Sequence, residues 1–328
     1  MKHRVLGKTG WDVSEIGLGT WQVGGGWGKT FDRSHADRIL ETAVDEGITF
    51  FDTADVYDGG LSEAAVGALA KKYGDRIRIA TKCGRRLNPH VADAYTPDAI
   101  QGFVEDSLSN TGLECIDLVQ LHCPPGDVYY RPDLFRACER LVEQGKVRAI
   151  GVSVEKVEEA LKAIEYDVVS TVQIIFNMFR HRPSELLFRE AERRKVGIIV
   201  RVPLASGLLS GKMTANHRFS EGDHRNFNRE GQAFDRGETF SGVPFEEGIT
   251  AAEEIQTALG NDRPLAERAL QWILSFPEVS TVIPGASRPD QVVSNARVSG
   301  SGPLSESQMS SVRHIYDQRI RDSVHHLW

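Results

Sequence analysis

The stretch IDLVQLHCPPGDVYYRPDLFRACERLVEQGKVRAIGVS, residues 116–153, decides the fold. Its first part, Ile116–His122, is a short apolar and β-branched run that reads as a strand. Its middle, Pro132–Gln144, has the helical period. Its last part, Val147–Ser153, is a second strand-like run. Strand, helix and strand in so short a span form one βα repeat, and the same alternation continues in both directions. Upstream lie Ile16–Gly19, Ile48–Asp52 and Ile77–Lys82; downstream lie Val169–Ile174, Gly197–Val202 and Ser280–Pro284. Helical patterns cover Ser34–Glu46, Ser62–Tyr73, Val154–Ala163, Ser184–Lys195 and Pro264–Phe276. The clearest places Ile100, Phe103, Val104, Ser107 and Leu108 on one face. Ser34, Ser62 before Glu63, and Thr96-Pro97 supply helix-start signals.

Eight such repeats in a chain of 328 residues predict an α/β protein, a (β/α)8 TIM barrel formed by residues 1–328 as one domain. A doubly wound sheet would carry a glycine-rich phosphate turn between its first strand and the following helix. Gly24, Gly25, Gly26 and Gly28 lack that spacing and read as a loop. Two segments depart from the repeat. Met1–Ser14, with Gly7 and Gly10 near a tip, reads as an N-terminal hairpin capping the barrel bottom. Gly207–Gly248 reads as a long polar loop after strand seven, anchored by Phe219, Phe227, Phe234, Phe240 and Phe245. A loop of that length in a compact domain usually carries function.

Composition narrows the function classes. Hydrophobic residues make up 40% and charged residues 26%, the balance of a folded globular chain, and the net charge is -7. An acidic chain with both signs interspersed is not expected to hold nucleic acid or an anionic membrane. Cys83, Cys115, Cys123 and Cys138 have no CxxC spacing. No apolar run is long enough to span a bilayer, and no apolar run follows the basic N-terminus as a secretory signal would require. A cytoplasmic setting is expected.

Barrels of this class place their chemistry at the C-terminal ends of the strands. There the chain carries Gly19-Thr20-Trp21, Asp52 with Tyr57 beyond it, Lys82, His122, Ser153, Gln173, Arg201 and Pro284-Gly285. Asp52, Tyr57, Lys82 and His122 together form a proton-transfer set. A tyrosine titrates near ~10 and is a weak acid-base group unless a cation favours its phenolate. Lys82 would be that cation, Asp52 would keep it charged, and His122 would orient a carbonyl oxygen. Such a set suits protonation of an oxygen on which charge is building. It calls for no metal.

Several segments together resemble the aldo-keto reductases, in the bacterial and potassium-channel-β-like branch. They are Gly17–Trp21, Phe51–Tyr57, Ala80–Lys82, Asp117–His122, Ile150–Ser153, Pro203–Lys212 and Ile283–Pro289, in the family's order and across nearly the whole chain. The resemblance implies an NADP(H)-dependent oxidoreductase that reduces an aldehyde or ketone to an alcohol. It implies a tetrad of Asp52, Tyr57, Lys82 and His122 with Tyr57 as general acid. Cofactor contacts would fall on Gly19, Thr20, Trp21 and Asp52, and on Ser153 and Gln173 at the nicotinamide carboxamide. Arg201 stands where the family usually stacks an aromatic ring on the nicotinamide. Pro203, Leu204, Ser206, Gly207, Leu208, Ser210 and Lys212 would cover the pyrophosphate. Arg225, Gly285, Ser287, Arg288, Gln291 and Asn295 would hold the adenosine end.

Three positions depart from the family's pattern: Val154 replaces an Asn, Phe176 a Tyr, and Arg201 the stacking aromatic. A guanidinium can stack as a ring does, and its charge beside a cationic oxidised nicotinamide predicts a bias towards the reduced cofactor. Trp21, Trp27, Tyr57 and Tyr129 or Tyr130 would wall a pocket for a small carbonyl substrate. Two alternatives stay open: an NADP(H)-binding regulatory barrel with slow turnover, and a lyase using Lys82 as a Schiff base. Ser287 and Arg288, ahead of a helix start at Pro289, provide a hydroxyl and a cation that would suit a 2′-phosphate. Arg288→Ala is therefore expected to lower the NADPH:NADH ratio of kcat/KM by about tenfold. An unchanged ratio would remove Arg288 from the phosphate pocket.

Overall fold

The structure, a computed structural model, describes residues 1–25 and 30–328; Gly26, Trp27 and Gly28 lie outside the described residues. An antiparallel hairpin comes first, β1 (His3–Val5) with β2 (Asp12–Ser14). The barrel strands follow: β3 (Leu18–Gly19), β4 (Phe50–Asp52), β5 (Arg78–Cys83), β6 (Ile116–His122), β7 (Val147–Ser153), β8 (Val169–Ile175), β9 (Gly197–Arg201) and β10 (Val279–Val282). They pair in parallel, each with the next in the chain. Bridges from Ile16 to Val282 and from Gly19 to Gly285 join the first strand to the last. The fold is the expected (β/α)8 TIM barrel.

Alternation along each strand decides what fills the barrel. Phe50, Ala80, Leu118, Ala149 and Ile199 form one buried apolar layer with Ile283. Two residues further along their strands stand Asp52, Lys82, Gln120, Gly151 and Arg201. The interior is thus apolar at the bottom and polar at the C-terminal mouth. Leu6 and Val13 of the hairpin join the apolar layer, so the hairpin seals the bottom as expected. Gly7, at φ +54°, lies against the Gly197 backbone, and a Cβ at this position would collide with it.

The helices cover the outer face: α1 (Arg33–Asp45), α2 (Leu61–Tyr73), α3 (Pro97–Thr111), α4 (Pro132–Glu143), α5 (Val157–Ala163) and α6 (Leu187–Arg193). The expected start of α5 at Val154 moves to Val157 because Glu159 accepts from the backbone N–H groups of Glu155 and Lys156 and fixes the first turn there. The expected loop 207–248 is also corrected. It contains a short helix, α7 (His224–Phe227), and ends where α8 (Phe245–Leu259) begins. The rings of Phe219, Phe240 and Phe245 pack with centroids 5.0–5.9 Å apart. Arg229 lies 5.1 Å from the Phe245 ring. The α8 stripe rests on Ile249, Ala251, Ala252, Ile255 and Leu259, and its small alanines hide the helical period. The chain continues through α9 (Leu265–Leu274), α10 (Pro289–Arg297), α11 (Glu306–Ile315) and α12 (Arg321–Val324). Ser305 and Gln308 form a capping box at the start of α11.

Gly67 on α2 packs directly on the backbone of Thr111 at the end of α3. An exposed helical Gly→Ala stabilises by about 1 kcal/mol. Here the added methyl would strike the Thr111 carbonyl, and overpacking costs about 1–3 kcal/mol. Gly67→Ala is expected to lower the midpoint of urea unfolding; a raised midpoint would show that α2 and α3 separate freely.

Candidate active site

The polar layer at the barrel mouth is built on one buried ion pair. Lys82 of β5 donates from Nζ to Asp52 Oδ1 at 2.5 Å, to the Thr53 carbonyl at 2.9 Å and to Tyr57 Oη at 3.2 Å. These three acceptors use all three ammonium donors. Asp52 Oδ2 accepts from Gln120 Nε2 at 3.0 Å and from Gln173 Nε2 at 2.8 Å. Lys82 and Asp52 are 1% and 2% exposed, so an unmatched charge would be very costly. Burial pulls the Lys82 ammonium down, but Asp52 and Tyr57 outweigh it and the net shift is upward. Lys82 is held protonated. Schiff-base chemistry needs a free amine, so the lyase alternative has no support here.

Tyr57 lies on the turn Tyr57–Gly60 between β4 and α2, with its ring 4.8 Å from the Lys82 ammonium. One expectation is corrected. Burial raises the phenol above its ordinary value, and the opposing pull of Lys82 does not reverse it. Tyr57 therefore carries its proton throughout the neutral range. The His122 ring stands edge-on to it with centroids 6.2 Å apart. Burial, then the charges of Arg85 and Lys82, push His122 well below the usual histidine range. The imidazole is neutral, and its Nδ1 is buried without a hydrogen-bond partner. The structure thus brings Asp52, Tyr57, Lys82 and His122 into one cluster.

The residues expected at the cofactor fall in three groups. Around the tetrad, Thr20 is fully buried and bonded through Oγ1 to the Asp52 carbonyl and to Ser62. Gly19 bridges Gly285, and the half-buried Trp21 ring meets His224 edge-on at 5.9 Å. Ser153 Oγ donates to Gln173 Oε1 at 3.5 Å, and Gln173 Nε2 also donates to Gln120 Oε1 at 3.2 Å. In the loop after β9, Pro203 and Leu208 are buried, Leu204, Ser206, Gly207 and Ser210 half-buried, and Lys212 exposed. Val202, Ala205, Ser206 and Gly207 have φ values of 52°, 47°, 55° and 102°. Within this turn the Ala205 N–H donates to the Val202 carbonyl at 3.1 Å and the Gly207 N–H to the Leu204 carbonyl at 2.8 Å. At the far end, Ser287 binds Gln291 through its N–H and Oγ, and Asn295 is half-buried on α10. Arg288 is exposed and paired with Asp290 at 3.0 Å, in a charge field that includes Lys212. Arg225 forks onto Asp223 at 2.6 and 2.9 Å and stacks on Phe219 at 4.6 Å.

The sequence departures find physical partners. Phe176 packs into the rings of Phe188, Trp272 and Phe276, with centroids 4.8–4.9 Å away. The missing hydroxyl is therefore a matter of outer-core packing. Val154 and Arg201 are linked, because Arg201 Nη2 donates to the Val154 carbonyl at 3.0 Å and to Glu155 Oε2 at 2.9 Å. Glu238 Oε2 lies 3.8 Å from Arg201 Nη1. Two nearby carboxyl groups oppose the guanidinium's charge, so the expected bias towards reduced cofactor loses the unpaired cation it rested on. Tyr129 is fully buried and cannot wall a pocket; Tyr130 is exposed under Lys162.

Gln120, Arg85, Glu155 and Glu238 were absent from the sequence reading. Parity could have found Gln120, which shares its strand face with Leu118 and His122. Arg85 sits in a Gly84-Arg85-Arg86 run that looks like solvated charge, and Glu155 and Glu238 carry no local signal. Asp55 also stands out, with both carboxyl oxygens buried and unpartnered. Burial, then the neighbouring Glu63, push it up to about 7. A carboxyl raised in the folded state contributes stability that is complete below the ordinary carboxylate range and lost as pH rises through 7. Asp55→Asn, a neutral isostere, is expected to be more stable than wild type at pH 8 by about 2 kcal/mol and no more stable at pH 5. Parallel Tm curves from pH 5 to 9 would refute the buried, protonated carboxyl.

Comparison with known proteins agrees with the fold. Residues 15–317 match the Aldo/keto reductase family. The chain is 31% identical to aldo-keto reductase YhdN of Bacillus subtilis, over 99% of this chain and 96% of that protein. It is 32% identical to the NADH-specific methylglyoxal reductase of Escherichia coli, over 90% of this chain and 92% of that one. Among solved structures, the holo form of aldo-keto reductase AKR11C1 from Bacillus halodurans superposes with a TM-score of 0.76 at 28% identity, covering 96% of each chain. With the barrel and these matches in agreement, the chain belongs to the aldo/keto reductase family.

Proposed function

We propose that this oxidoreductase reduces an aldehyde or ketone to an alcohol with NADPH, and that Tyr57 donates the proton. The observation that carries the reading is the Lys82 ammonium, shared between Asp52 and Tyr57 Oη inside the barrel mouth. NADPH, when bound, supplies a hydride to the carbonyl carbon. The developing oxyanion takes its proton from Tyr57 Oη, which burial keeps loaded. As the proton leaves, charge appears on a phenolate that already accepts a hydrogen bond from Lys82, so the stabilisation is largest where the charge is newest. Neutral His122 offers one ring N–H to the same oxygen and fixes its direction.

The chain's own residues fit the cofactor. The exposed cation of Lys212 suits the pyrophosphate, and Ser287, Arg288 and the start of α10 suit a 2′-phosphate. One relative's name marks it as NADH-specific, so the choice of NADP(H) for this chain rests on that Ser287–Arg288 corner. Arg201 stands where it can lie against the nicotinamide, held by Glu155 and the Val154 carbonyl. We place the reaction in one barrel unit, residues 1–328, in the cytoplasm. The partner is a small carbonyl substrate, with no nucleic acid or membrane involved. The charge of -7 and the four free cysteines fit this setting, and among the described residues no helix is long and apolar enough to cross a membrane.

Tyr57→Phe keeps the ring and removes the proton. It is expected to lower kcat for aldehyde reduction by about 100-fold to 10,000-fold, while NADPH binding, read by cofactor fluorescence, stays within twofold (about 0.4 kcal/mol). A variant as active as wild type would remove Tyr57 as the acid and leave the fold assignment intact.

A further inference from the structure

Beside the tetrad, two guanidiniums converge on one carboxylate. Arg85 lies just beyond the end of β5. Its Nη1 donates to Glu238 Oε2 at 3.3 Å, and its Nη2 makes a still shorter bond to Glu238 Oε1. Arg85 Nη2 also reaches Glu155 Oε1 at 3.4 Å, and Arg201 Nη1 stands 3.8 Å from Glu238 Oε2. Glu238 belongs to the irregular connection between β9 and α8, 153 residues along the chain from Arg85. The Arg85 side chain is 22% exposed and Glu238 16%, so the contact lies at the rim and is reachable from solvent.

Arg85 also faces the reacting groups. After burial, its charge is the largest influence depressing the His122 imidazole, and it also pulls on the Tyr57 phenol. Arg85 and Arg201 hold the Glu238 carboxyl well below its usual range against the effect of burial. Glu155, by contrast, is pushed up to about 8 by burial and by the adjacent Glu238. The sulfur of Cys123 and one carboxyl oxygen each from Glu155 and Glu238 gather within 4.8 Å. The guanidiniums fill the place of a cation among them, since Arg201 Nη2 bonds both Cys123 Sγ and Glu155.

We propose that Arg85, with Arg201 behind it, is a carboxylate-reading subsite for the substrate, that Glu238 holds the place a substrate carboxylate would take, and that the preferred substrates are carbonyl compounds bearing a carboxylate. This inference rests on the reductase reading and names its substrate class. Exchange of one carboxylate for another leaves no guanidinium unpaired, so the substrate need only match the Glu238 contact. A neutral carbonyl compound leaves Glu238 where it is and gains nothing from Arg85. The subsite thus sorts substrates by charge next to the oxygen that Tyr57 protonates.

The test uses a pair of ligands that differ in one charge. The NADPH-bound protein is titrated calorimetrically with 4-(hydroxymethyl)benzoate and with its methyl ester; a reduced cofactor and an alcohol cannot exchange hydride. The carboxylate is expected to bind at least about tenfold tighter (1.4 kcal/mol). In Arg85→Met the carboxylate-to-ester ratio should collapse to near one. Glu238→Gln, which removes the resident anion and keeps both arginines, should tighten the carboxylate several-fold and leave the ester unchanged. Equal affinities in wild type would overturn the proposal, as would a ratio that survives Arg85→Met or a carboxylate weakened by Glu238→Gln. Those results would make the contact a loop latch only. Oxidation of NADPH by 4-formylbenzoate and its methyl ester is followed in parallel. Failure of both aldehydes to react counts against the reductase reading, while the binding comparison still decides the subsite.

Discussion

The buried pair of Lys82 and Asp52 constrains most of what surrounds it. An ammonium and a carboxylate removed from water must have every donor and acceptor answered, or the loss exceeds their attraction. Here the answers come from the Thr53 carbonyl and Tyr57 beyond β4, from Gln120 on β6 and from Gln173 on β8. The strands must therefore keep the register that brings these side chains to one level. That register pairs Lys82 with Gln120 and Ser153 with Gln173. A slip of one residue would turn the polar layer outward and the outer apolar face inward. The apolar layer below, sealed by Leu6 and Val13, supplies burial that the polar layer cannot.

The same pair sets the site's chemistry. A fixed ammonium near Tyr57 adds little while the phenol is neutral and much once it has given up its proton. In the proposed reaction, burial keeps that proton in place until charge develops on the neighbouring oxygen. His122 stays neutral for the same reasons, low polarity and nearby cations, so the mouth holds hydrogen-bond donors without a third free charge. Around this core lies a rim of different character, where Arg85, Arg201, Glu155 and Glu238 form contacts between loops. The rim is the natural place for differences among relatives, because connecting loops vary while the barrel that positions them is held by packing.

The barrel was legible because its signals are local. Each strand is a short β-branched run, each helix has its period, and their alternation leaves few architectures. The tetrad was legible because strand ends can be counted and the residue types at them compared. Less was visible where a side chain acts through a distant partner. Gln120 looked like any polar residue on a strand until Asp52 appeared opposite it. Arg201 looked like an unpaired cation, and its partner Glu155 is close in space but 46 residues away in the chain. The helix α8 was hidden by small alanines, whose burial depends on what packs against them.

The sequence by itself determined the fold class, the hairpin at the barrel bottom and which four residues, Asp52, Tyr57, Lys82 and His122, gather at the barrel mouth. Those properties follow from periodicity and from which residues end each strand, and both are written along the chain. Only the tertiary structure decided the direction of Tyr57's shift, the neutralisation of Arg201, the place of Phe176 in the outer core and the meeting of Arg85 with Glu238. Each depends on burial and on the distance between charges far apart in sequence, and electrostatic energy depends on that distance and on the local dielectric.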